Sequence, residues 1–159
     1  QCFIADIYDA DCGYQLQDFL ITDRELATAL GSKKLRGDTE ETVLIAEDDD
    51  GISVSVYLDE ALLSRLDDAD PMQCLRADQL ADLVVVLEGI SHFNYVGWCA
   101  GRDKAVTLLE LELQAEIDKF VTTALLAREQ EDFSLLRSQQ LCRALLPQAA
   151  RSRIARRQQ

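Results

Sequence analysis

Glu88 and His92 stand four residues apart, and Glu110, Glu112 and Glu116 follow beyond a glycine-containing turn; His92 is the only histidine among 159 residues. Residues four apart share one side of a helix, so Glu88 neighbours His92 and Glu112 neighbours Glu116. With the turn centred near residue 100, antiparallel helices set His92 level with Leu109 and Glu88 level with Leu113, in reach of Glu110 or Glu112. Glutamate and imidazole donors on paired helices suit iron, manganese or zinc. Glu88, His92, Glu112 and Glu116 are therefore the candidate metal ligands or acid and base groups, with a divalent transition metal as the cofactor they imply.

Three features favour a plainer reading. Carboxylate-bridged dimetal bundles use Glu-x-x-His twice, whereas this chain offers one histidine at a spacing of four. Glu112, Glu116 and Lys119 share a face opposite much of the Leu109, Leu113 and Ile117 stripe, the pattern of an exposed helix surface. His92 sits among Ile90, Phe93, Tyr95 and Trp98, where a buried imidazole beside one carboxylate is common in protein cores. On these grounds the expectation is a structural histidine and no cofactor.

Other catalytic signatures are missing. The sequence has no G-x-S-x-G, G-x-x-x-x-G-K, G-x-G-x-x-G or H-E-x-x-H, which removes the motif support for nucleophile-elbow, P-loop, dinucleotide-binding and zincin chemistry. Cys99 lies seven residues from His92, near the turn, where an exposed thiol is expected; acidic surroundings oppose the low pKa a nucleophile needs. Phe93, Tyr95 and Trp98 gather at the same helix end, as a core cap, a pocket lining or a partner-binding patch.

The elements that must position these groups are legible in outline. Leu80, Leu83, Val84, Leu87 and Ile90 recur at helical spacing over 78–97, and Val106, Leu109, Leu113, Ile117, Phe120 and Ala124 do so over 103–130. The apolar stripes are expected to face each other in a long antiparallel helical hairpin over about 78–130, with Asp103 capping its second helix. In TVLIAEDDDGISVSVYL two β-branched runs flank Asp50 and Gly51, which predicts a β-hairpin over about 42–58. The acidic tip lacks the ligand spacing of a calcium loop. A helix should start at Asp59, another short one should span ITDRELATALG with Thr22 and Glu25 as a capping box, and FIADIY reads as a strand. A last helix is expected from Asp132 to Leu146, ended by Pro147. The expected fold is one α+β domain over 1–146, predominantly helical, with the β-hairpin packed on a helical bundle and a basic tail over 147–159.

Charge narrows the partners. Residues 1–127 hold 9 Lys and Arg against 26 Asp and Glu, while 128–159 hold 7 against 3, within a net charge of −13. The acidic body should repel nucleic acid and anionic lipid. The exception is the tail, where Arg151, Arg153, Arg156 and Arg157 read as an anchor for RNA or an acidic partner, or as a solvated helix end. Lys33, Lys34 and Arg36 read as a solvated turn. Five scattered cysteines with no C-x-x-C pair suit a reducing, cytoplasmic setting. The longest aliphatic run, Leu83 to Leu87, predicts no membrane span. A start at Gln1 with Met72 as the only methionine reads as an incomplete or processed product. Together these readings favour a non-catalytic intracellular accessory or regulatory protein that meets a protein partner through its acidic surface, Phe93, Tyr95 and Trp98 included; the alternative is a metal-binding domain or metal-dependent enzyme.

Overall fold

The computed structural model describes residues 1–9, 11–31, 39–48, 51–68 and 70–130. The Asp49 and Asp50 tip, the Lys33, Lys34 and Arg36 cluster, the helix expected from Asp132 to Leu146 and the arginine tail lie outside the described residues. Within them the fold is a mostly helical α+β arrangement, a three-stranded mixed sheet packed against helices. Five α-helices, α1 (Cys2–Tyr8), α2 (Arg24–Leu30), α3 (Glu60–Asp67), α4 (Leu80–Ala100) and α5 (Leu108–Glu129), and a single 3-10 turn at Leu16–Asp18 accompany strands β1 (Leu20–Ile21), β2 (Glu41–Asp48) and β3 (Gly51–Leu58) among the described residues.

The β-hairpin forms where alternation placed it, with β2 and β3 antiparallel from Glu41 opposite Leu58 to Asp48 opposite Gly51. β1, which the sequence reading lacks, pairs in parallel with β3 through Leu20 opposite Val56 and makes β3 the central strand. Successive side chains of a strand face opposite sides. Val56 and Leu58 therefore enter a core with Leu16, Leu62 and Phe93, while Tyr57 turns to the other face beneath the Arg24 guanidinium, 5.5 Å from its ring centre. A second core joins Ile4, Leu66, Leu75, Leu83, Leu87 and Leu126.

Gly89 lets α4 lie close to the sheet. A Cβ there would stand 3.1 Å from Glu41 Cγ and 3.3 Å from both Leu58 Cδ2 and Val56 Cγ1. His92, three residues on and on the same side of the helix, is thereby brought against β2. Arg65 of α3 secures this alignment by bonding Asp82 of α4 through Nε and Nη2 at 2.7 and 2.9 Å and Glu40, next to β2, at 2.9 Å. At 21 residues α4 is, by length and composition alone, long and apolar enough to cross a membrane. Here its Leu80, Leu83, Val84, Leu87, Phe93 and Val96 are buried in the protein.

Several local expectations are corrected. FIADIY is helical, since a run of six residues is too short for alternation to decide and α1 gains burial of Ile4. Asp23, not Thr22, caps α2, accepting from the amides of Glu25 and Leu26. Asp103 sits in a left-handed turn at φ 50° and is not the N-cap of α5. Thr107 starts α5 in a reciprocal capping box with Glu110.

The largest correction concerns the rotation of α5. The stripe expected to face α4 is open to solvent, with Leu109 77% and Leu113 58% exposed and Ile117 and Phe120 exposed as well. The buried side instead carries Ala115, Asp118, Lys119, Thr122, Thr123, Leu126 and Ala127. These side chains are mostly small, which permits close helix approach, and the two charged ones have partners in the interface. Lys119, expected on a solvated face, is 4% exposed.

Candidate metal centre

Two turns of α4, the start of β2 and the first half of α5 meet around His92. A ring nitrogen of His92, a carboxylate oxygen of Glu88 and one of Glu112 lie within 4.8 Å of one another. His92 is buried, Glu88 half-buried and Glu112 exposed, so the cluster has a closed end at the sheet and an open end at the surface. Donors bound tetrahedrally to one ion at about 2.1 Å stand about 3.4 Å apart, so the triangle must contract by roughly 1 Å. Rotation of the glutamates, both of which reach solvent, supplies that movement.

Glu116 is not part of the triangle. Its Oε1 accepts from Lys119 Nζ at 2.7 Å, and Lys119 also donates to Glu88 Oε2 at 2.8 Å. Burial alone would lower the Lys119 pKa, but Glu116 and Glu88 outweigh it and hold the ammonium above its ordinary value. Lys119 is thus an internal cation beside the cluster, and it competes with any metal for Glu88. Glu110, also considered from sequence, is spent on the Thr107 amide and hydroxyl.

Sequence reasoning missed Glu41. Its Oε1 stands 3.4 Å from His92 Nδ1, a loose electrostatic contact, and neither that oxygen nor His92 Nε2 has a hydrogen-bond partner among the described residues although both are buried. Such orphaned atoms are uncommon and call for an explanation. Burial pushes the Glu41 carboxyl up, and His92 offsets this only in part. For His92, burial works downward, but the carboxylates of Glu41, Glu88 and Glu112 together hold its pKa above the ordinary value. A proton on Nδ1, turned to Glu41, leaves Nε2 with a free lone pair, the arrangement by which carboxylates orient metal-bound histidines. The signal in the sequence was Gly89: a glycine inside a strongly apolar helix marks a close approach of another chain segment.

The remaining candidates separate. Phe93 is buried against Phe19, with ring centres 5.2 Å apart, and belongs to the sheet-side core. Tyr95 and Trp98 stack 6.5 Å apart on another side of α4. Cys99, expected at an exposed turn, is fully buried in α4. Arg151, Arg153, Arg156 and Arg157 lie outside the described residues. No protein-family model, curated protein or solved structure matches the chain.

Proposed function

We propose that the α4–α5 hairpin holds one divalent transition-metal ion on Glu88, His92 and Glu112, with Glu41 orienting the imidazole. The observation that carries this reading is the His92 ring, 8% exposed, with a buried Nε2 that has no hydrogen-bond partner among the described residues and a ring nitrogen within 4.8 Å of carboxylate oxygens of Glu88 and Glu112, both of which reach solvent. Mixed oxygen and imidazole donors suit zinc, manganese or iron. Three protein ligands leave a position for water, and a bound divalent ion acidifies water strongly enough to make hydroxide near neutral pH. Metal-assisted hydrolysis is the reaction class that such an open site fits.

The test is metal content by inductively coupled plasma mass spectrometry on wild type, His92→Ala and Glu112→Gln, each checked for folding by circular dichroism. The expected result is about one equivalent of transition metal per chain, lost in both folded variants. Wild-type protein that takes up no metal when supplied with zinc, manganese or iron, or folded variants that keep it, would overturn the proposal.

A different surface supports the reading of a non-catalytic partner protein. Leu109, Leu113, Ile117 and Phe120 form an exposed apolar stripe on α5, with Glu112 and Glu116 beside it. Contiguous apolar faces with a polar rim mark interaction sites, and a basic amphipathic helix is the partner this one fits. Under this reading Ile117→Lys abolishes partner capture and leaves metal content unchanged.

A further inference from the structure

On the side of the hairpin away from Glu41, a cavity of about 220 Å³ opens between α1, α4 and α5. Asp118, 3% exposed, forms part of its wall. Three donors converge on that carboxylate: Tyr8 Oη at 2.6 Å and Gln114 Nε2 at 2.8 Å on Oδ1, and Ser91 Oγ at 2.6 Å on Oδ2. All three are neutral, and none of the ion pairs among the described residues involves Asp118. Buried charges in proteins are ordinarily paired with an opposite charge or a metal. Burial and the Asp118 carboxylate both push the Tyr8 phenol above its ordinary pKa, so its hydroxyl remains a donor.

Aromatic rings complete the wall. Tyr8, Tyr95 and Trp98 line the same cavity, and the faces of such rings attract cations through their quadrupole. Two of these rings already attract cations: Arg102 lies 4.2 Å from the Trp98 ring centre, and Lys104 lies 5.6 Å from that of Tyr95. Asn94, on the same wall, has a buried Nδ2 without a partner among the described residues. The volume equals that of about seven liquid waters, room enough for an amine of a few carbons.

We propose that this cavity is a binding site for a small primary ammonium ion. Its charged head meets Asp118, and its apolar stem lies along Tyr95 and Trp98. A buried carboxylate with no counter-charge among the described residues selects a cation, and aromatic walls select one that is partly apolar. Arg102 and Lys104, standing over the rings, disfavour a second positive charge on the ligand, so a monoamine should bind more tightly than a diamine of equal length. The site is separate from the metal centre and does not depend on it.

Trp98 is the only tryptophan in the chain, so its fluorescence reports on this cavity without a label. The experiment titrates the full chain, with EDTA present to exclude metal effects, using n-butylammonium, 1,4-diammoniobutane and n-butanol. The expected result is a saturable response to n-butylammonium, at least tenfold weaker binding of n-butanol, intermediate binding of the diamine, and at least tenfold weaker n-butylammonium binding in Asp118→Asn. The butanol comparison uses wild-type protein and stands even if the variant fails to fold. No saturable response to n-butylammonium, equal binding of n-butanol, or unchanged binding in folded Asp118→Asn would each overturn the proposal.

Discussion

Replacing Lys119 by methionine should destabilise the metal-free protein and tighten its grip on metal, two effects of opposite sign from one substitution. The ammonium lies 2.8 Å from Glu88 Oε2 and 2.7 Å from Glu116 Oε1. At an effective dielectric of about 20 each attraction is of order 6 kcal/mol, and much of that is offset by dehydration of the buried groups. Removing one partner of a buried pair typically costs about 3–5 kcal/mol, because the other charge is stranded. The Glu88 and Glu116 side chains are 31% and 32% exposed, so water screens them once the lysine is gone. The net loss should therefore be about 2–3 kcal/mol. For a chain of this size that lowers Tm by roughly 4–12 °C. In the same variant Glu88 is free of its competing cation, and manganese affinity should rise about tenfold, equivalent to ~1.4 kcal/mol. Thermal melts in EDTA and across a manganese series measure both, since a bound ion raises Tm by mass action. A Lys119→Met melt unchanged in EDTA would refute the buried ion-pair argument. Weaker manganese binding in that variant would refute the competition argument.

The remaining predictions concern pH and the rotation of α5. Because the His92 pKa is raised in the fold, the stability it contributes is complete below its ordinary value of 6.5 and is lost as pH rises through the higher folded value. Glu41 is also raised, from an ordinary 4.5, so it too makes the folded state bind protons more tightly, and stability again falls as pH rises. The Tm difference between wild type and His92→Gln, measured in EDTA, should therefore shrink from pH 5.5 to pH 8.5; a difference that grows over this range contradicts the assignment. Leu113→Ser should cost no more than about 0.5 kcal/mol, because that side chain already meets water, whereas Ala115→Leu, into a buried interface, should cost about 1–3 kcal/mol. Urea denaturation of both variants checks the order, and a Leu113→Ser loss of 2 kcal/mol or more would place the leucine stripe in the core after all.

The parts of the fold that were legible in sequence are those where side-chain pattern and burial agree. Alternation in Val54, Val56 and Leu58 predicts β3 because one face of that strand is core and nothing competes for it. The spacing of Leu80, Leu83, Val84 and Leu87 predicts α4 for the same reason. The four-residue step from Glu88 to His92 was readable because helix geometry alone makes them neighbours. Glu41, by contrast, lies 47 residues before Glu88, and its approach to His92 depends on how closely α4 seats against the sheet at Gly89.

In α5 the hydrophobic period is present, yet its apolar stripe faces solvent. Periodicity locates a stripe but does not weigh it against polar groups that find partners across an interface. Asp118 meets Tyr8 and Ser91, Lys119 meets Glu88, and these bonds hold the opposite side of the helix inward. Successive residues of a helix are about 100° apart, so a rotation that buried Leu109, Leu113 and Ile117 would turn Lys119 and Asp118 out. Glu112, seven residues before Lys119 on the same side, would leave His92 in the same movement. The candidate metal triangle and the exposed leucine stripe are thus two consequences of one rotation, and a variant that reverses it should lose the first while hiding the second.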